Sequence, residues 1–131
     1  MNVFLYTSAL VKFFHEEKGT ETVSNLIIDP DNDVWILELD EDRLNIAIDS
    51  FEKQVERFNV EPLGRAVLEE AAFLMKNHGR KHGLKALDAL HLGAFSLISE
   101  WDWAFVAADD SLCGVAEVLG YAIINPMKGN G

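Results

Sequence analysis

NVFLYTSALVKFFHEE, residues 2–17, is the stretch on which the fold turns. The apolar run Asn2 to Tyr6 is strand-sized and stops at Thr7-Ser8, two hydroxyl residues that cap helix N-termini by accepting a backbone N–H. A strand that feeds directly into a helix is therefore expected, the helix covering about residues 8–17 with Leu10, Val11 and Phe14 inward. The pattern repeats outward from there. Gly19 breaks the periodicity before a second short helix over about 20–28, with Val23, Leu26 and Ile27 inward, and DPDND at 29–33 is a turn. VWILEL, residues 34–39, is the second strand. From Asp40 an amphipathic helix follows, with Leu44, Ala47, Ile48, Phe51, Val55 and Phe58 at helical spacing and acids in its first turn, where the helix dipole favours them.

A short third strand at Val60 to Leu63 precedes a helix over about 65–78 that places Leu68, Ala71, Ala72 and Met75 on one face and ends at Gly79. HGRKHGLK, residues 78–85, is the one basic stretch. ALDALHLGAFSLIS, residues 86–99, is apolar all round except for Asp88 and His91 and predicts a helix buried on most sides. A fourth strand at Trp103 to Ala107, a helix capped by Asp109-Asp110-Ser111 and a last strand at Tyr121 to Ile124 complete the chain. Strands alternating with helices imply right-handed crossovers, and so a three-layer α/β/α domain with a mostly parallel sheet. One domain over residues 1–126 with a flexible tail at 127–131 is expected from 131 residues.

Composition narrows the function classes. With 49% hydrophobic and 25% charged residues the chain can build a core, and its single cysteine, Cys113, excludes an intrachain disulfide, so a cytoplasmic home is expected. Neither a signal peptide nor a membrane helix is expected at the N-terminus, because Lys12 and His15 interrupt its apolar run. Against 11 Lys and Arg stand 22 Asp and Glu, a formal charge of −11. The overall field thus opposes polyphosphate, and nucleic acid would need a local basic patch or bound cations.

In open parallel sheets ligands bind beyond the carboxyl ends of the strands. That directs attention to Tyr6, Thr7 and Ser8 after strand 1, Glu38 to Glu41 after strand 2, and Asp109 and Asp110 after strand 4, with Asp88 in the first turn of its helix beside the same edge. Converging carboxylates repel, and a hard divalent cation, Mg²⁺ or Mn²⁺, is the usual relief.

These segments carry a resemblance. LYTSALVKFFHEEKGTE at 5–21 is similar to the opening of the PIN domains of VapC-type toxins, where a strand ends in Asp before Thr-Ser-Ala-Leu-Val-Lys. LKALDALHLGAFSL at 84–97 resembles the helix bearing the family's third acid, which falls on Asp88, and FVAADDSL at 105–112 resembles the segment whose acid falls on Asp109. The resemblance implies metal-dependent endoribonuclease chemistry in a toxin–antitoxin pair, a homodimer and a protein antitoxin. It also exposes two departures. Tyr6 stands at the first acidic position, a phenol that stays neutral at pH 7 and is a poor ligand for Mg²⁺. In ILELDEDRL at 36–44 the segment is shortened, and aligning Leu37 with the family's Ser puts Arg43 where the second acid belongs, leaving Glu38 or Glu41 as substitutes.

The expected site is therefore Asp88 and Asp109 as metal ligands and catalytic acids, with Glu38 or Glu41 completing it. Tyr6 is the degenerate position, and Thr7, Ser8, Arg80, Lys81 and Lys85 are the substrate contacts. Weakened or lost cleavage of RNA with binding retained is the leading reading; an active Mg²⁺- or Mn²⁺-dependent endoribonuclease is the alternative. A Tyr6 hydroxyl bonded to Asp88 or Asp109 would relieve carboxylate repulsion without a cation. His91 reads as a hydrogen-bonded core histidine, and Trp35, Trp101 and Trp103 as core or interface fillers. His78 and His82, four apart, are discounted as a zinc pair because Gly79 and Gly83 weaken the helix between them. A phosphate-accepting receiver domain would want acids after strand 1 and a Lys after the last strand, and Tyr6 and Asn125-Pro126 oppose it.

Overall fold

The structure is a computed structural model, and it describes residues 1–14, 16–41 and 58–128. Five strands form one sheet: β1 (Asn2–Leu5), β2 (Asp33–Leu37), β3 (Asn59–Glu61), β4 (Ala104–Val106) and β5 (Ala122–Ile124), in the order β3-β2-β1-β4-β5. Every neighbouring pair is parallel. Between them lie α1 (Thr7–Phe14), α2 (Thr20–Ile28), α3 (Arg65–His82), α4 (Ala86–Ile98) and α5 (Asp110–Val118). Helices cover both faces of the sheet, the three-layer α/β/α architecture expected from the sequence. The order reverses between β1 and β4, so the crevice of the sheet opens beside the carboxyl ends of those two strands.

Strand alternation divides the core into two clusters. Val3 and Leu5 of β1 pack with Ala9, Leu10, Val23 and Ile27 on the α1/α2 side, whereas Phe4 and Tyr6 face Leu92, Phe95 and Phe105 on the α3/α4/α5 side. A run that is apolar at every position is what a strand covered on both faces requires. Phe4, Phe95 and Phe105 meet at ring separations of 5.3–6.2 Å.

Several boundaries and faces differ from the expectations. β2 ends at Leu37, and residues 38–41 are already helical, because the chain turns as soon as Ile36 and Leu37 are buried. The amphipathic helix expected from Asp40 to Phe58, including Arg43, lies largely outside the described residues. On α1 the buried positions are Ala9, Leu10 and Lys12; Val11 turns outward. Lys12 lays its stem inside and carries its ammonium to Glu17 at 2.9 Å, so a charged residue occupies an inward position without an unpaired charge.

α3 does not end at Gly79. It runs to His82 and closes on Gly83 at φ 68, the left-handed cap that glycine adopts without steric cost. Its buried face is Val67, Ala71 and Leu74; Leu68 and Met75, expected inward, are exposed. Gly93 of α4 sets this face, because a Cβ there would sit 3.1 Å from the Ala71 nitrogen and 3.3 Å from the Val67 carbonyl oxygen. The backbones of α3 and α4 touch at this point. At the C-terminal end, Pro126–Lys128 form a 3-10 turn. No helix among the described residues is long and apolar enough to cross a membrane.

Candidate functional site

β1 delivers Tyr6 to the crevice. Alternation puts it on the face shared with Phe4, and its hydroxyl reaches across to α4, where it donates to Asp88 Oδ1 at 2.7 Å. The other oxygen of Asp88 accepts the Lys85 backbone N–H at 3.1 Å, as a first-turn acid does. Both oxygens of this buried carboxylate are engaged. Burial pushes the Tyr6 phenol well above its ordinary range, helped by the bond to Asp88 and by the nearby charges of Asp88, Asp109 and Asp40. The phenol is thus a proton held among three carboxylates.

Asp40 was not singled out among the acids after β2, yet it enters the crevice. Glu38 is exposed and Glu41 is half-buried, whereas Asp40 is 1% exposed. Reading the strand through Leu39 hid it. The signal was present, because the helix expected from Asp40 gives that residue the same spacing to Leu44 that its apolar positions keep among themselves. Its Oδ1 accepts the Thr7 hydroxyl at 2.7 Å, and its Oδ2 lies 2.7 Å from His91 Nε2.

His91 ties α4 to the segment after β2: Nδ1 lies 2.8 Å from the Leu87 carbonyl oxygen of its own helix, and Nε2 meets Asp40. Thr7 also lies 3.2 Å from Nε2, but this is no nucleophilic triad: carboxylate and hydroxyl meet the same ring nitrogen, and the other is committed to the backbone. His91 stacks its edge on Tyr6 at 4.7 Å, joining the two carboxylate pairs into one buried network.

Asp109, after β4, caps α5 by accepting the Leu112 N–H at 3.0 Å on Oδ1. Ser8 Oγ accepts the Ala108 N–H at 3.0 Å and ties α1 to the segment after β4. Thr7 and Ser8 are thus both engaged within the protein. Arg80, Lys81 and Lys85 are exposed at the end of α3 and in the loop before Asp88. Trp35 and Trp103 pack together at 5.3 Å, and Trp101, expected as a core or interface filler, is 93% exposed.

A hard cation does not fit this donor set as it stands. Asp88 and Asp40 spend both oxygens on protein donors, Asp109 spends one, and the central oxygen is a neutral phenol. Among the described residues, no three metal-ligating side chains converge.

No protein-family model and no curated protein matches the chain. Solved structures do. A chain of a toxin–antitoxin complex from Klebsiella pneumoniae superposes with a TM-score of 0.66 at 14% identity, over 95% of this chain and 97% of that one. A chain of FitAB bound to an IR36 DNA fragment gives 0.66 at 15% identity over 95% of both. A chain of VapBC2 from Rickettsia felis, bound to a DNA fragment from its promoter, gives 0.63 at 13% identity over 95% and 98%. The shared property is the fold, across nearly the whole length of each chain.

Proposed function

We propose that this chain is a toxin-like protein of a toxin–antitoxin pair in which the hydrolytic site has closed, leaving association with a protein antitoxin, and with RNA phosphates at Arg80, Lys81 and Lys85, as its work. The carrying observation is the buried 2.7 Å bond from the Tyr6 hydroxyl to Asp88. Phosphodiester hydrolysis by two cations needs carboxylates that offset cation–cation repulsion, and here Tyr6 and His91 engage the carboxylates instead. The similarity in fold to chains of toxin–antitoxin complexes supports the protein partner. The charge of −11 confines any RNA contact to the local basic stretch.

The test is cleavage of a mixed structured RNA with Mg²⁺ and then Mn²⁺ by wild type, Asp88→Asn and Tyr6→Asp, purified identically. Wild type and Asp88→Asn should leave the RNA intact. Tyr6→Asp replaces the phenol with a third carboxylate beside Asp88 and Asp109 and should gain Mn²⁺-dependent cutting. Cutting by wild type that Asp88→Asn abolishes would establish the active-endoribonuclease reading instead.

A further inference from the structure

The end of α3 carries a feature that the acidic crevice does not use. His78 and His82 are one helical turn apart, on a helix that continues unbroken through Gly79, and their rings lie 5.2 Å apart at an interplanar angle of 27°. Both are half-buried. His78 Nδ1 is the one buried side-chain polar atom among the described residues without a hydrogen-bond partner. Native proteins leave few such atoms unsatisfied, and an ion is one of the ordinary partners that completes them.

We propose that His78 and His82 form a binding site for a borderline divalent transition-metal ion of the Zn²⁺ class, separate from the acidic crevice. Two histidines at i and i+4 on one helix face are a recurrent zinc-ligating arrangement, because the turn brings both imidazoles to one side. With Zn–N bonds of about 2.1 Å a single ion bridges nitrogens up to about 4 Å apart, a span compatible with rings whose centroids lie 5.2 Å apart. The ion gives His78 Nδ1 the partner that it lacks, and water completes the coordination. Imidazole ligands select Zn²⁺, Ni²⁺ or Cu²⁺ over Mg²⁺, which prefers oxygen donors. Arg80, two positions from each histidine, falls on the opposite side of the helix, and the exposed Lys81 and Lys85 hold their charges toward water.

The test is Zn²⁺ titration of the full chain carrying no polyhistidine tag, in competition with a chromophoric chelator, with and without excess Mg²⁺. Wild type should bind one Zn²⁺ per chain, and Mg²⁺ should not displace it. His78→Ala and His82→Ala should each weaken binding about tenfold or more, since loss of either imidazole leaves a single protein ligand. His82→Gln, judged folded by its circular dichroism, repeats the test if His78→Ala does not fold. Absence of Zn²⁺ binding by wild type, or binding that both the His82 variants and His78→Ala retain, overturns the site. Zn²⁺ that Asp88→Asn releases while His82→Gln retains it also overturns it, by locating the ion in the crevice.

Discussion

Tyr6 feels the charges of Asp88, Asp109 and Asp40, and its hydroxyl donates a hydrogen bond to the first of them. Tyr6→Phe keeps the ring and its packing on His91 and Phe105 but leaves Asp88 Oδ1 buried without its donor. Denaturant unfolding should show a loss of about 1–3 kcal/mol. The pH dependence has a definite sign. The folded phenol holds its proton to higher pH than the unfolded one, so its contribution is complete below the unfolded value, about pH 10, and is lost as pH rises from there toward the folded value. Stability measured across roughly pH 9–11 should fall more steeply in wild type than in Tyr6→Phe. Equal slopes would place the alkaline loss elsewhere.

Two glycines separate packing from propensity at the scale of the helices. Gly93 of α4 lies against the α3 backbone, and a methyl there must push the two helices apart, so Gly93→Ala should cost about 1–3 kcal/mol. Gly114 lies inside α5 with nothing within 4 Å of its missing Cβ, so Gly114→Ala should gain about 0.5–1 kcal/mol from helix propensity alone. Thermal unfolding of both variants beside wild type checks the pair. A stabilised Gly93→Ala would mean that the α3–α4 contact is looser than the structure has it. The same contact explains why α3 passes through Gly79: packing of Val67, Ala71 and Leu74 outweighs the propensity cost of one glycine.

For the molecule as a whole, the carboxylates of the crevice are hydrogen-bonded by the protein's own side chains and backbone, and folding should not depend on Mg²⁺. The melting temperature of wild type should be unchanged by added Mg²⁺, whereas that of Tyr6→Asp should fall and recover with Mn²⁺ as three carboxylates are left to repel. A wild type that Mg²⁺ stabilises would contradict the closed site. Leu68 and Phe73 of α3, 51% and 60% exposed, are large apolar side chains that the fold leaves on its surface.

How much was legible follows from the range of each interaction. The alternation of strand and helix, the parallel sheet, and the placement of Tyr6, Asp88 and Asp109 at its carboxyl edge rest on local periodicity and capping, which a sequence states directly. The end of β2, the inward face of α3 and its passage through Gly79 differ from what local pattern implies, because each is set by a neighbour distant in the chain. Asp40 shows the limit most plainly. By itself the sequence determined that acids crowd one edge and that a phenol stands where an acid was expected. Only the tertiary structure decided that Asp40, rather than Glu38 or Glu41, enters, and that His91, 51 positions away, meets it. The physical reason is that a buried charge is tolerated only where the fold supplies its partner, and that partner is fixed by packing rather than by spacing.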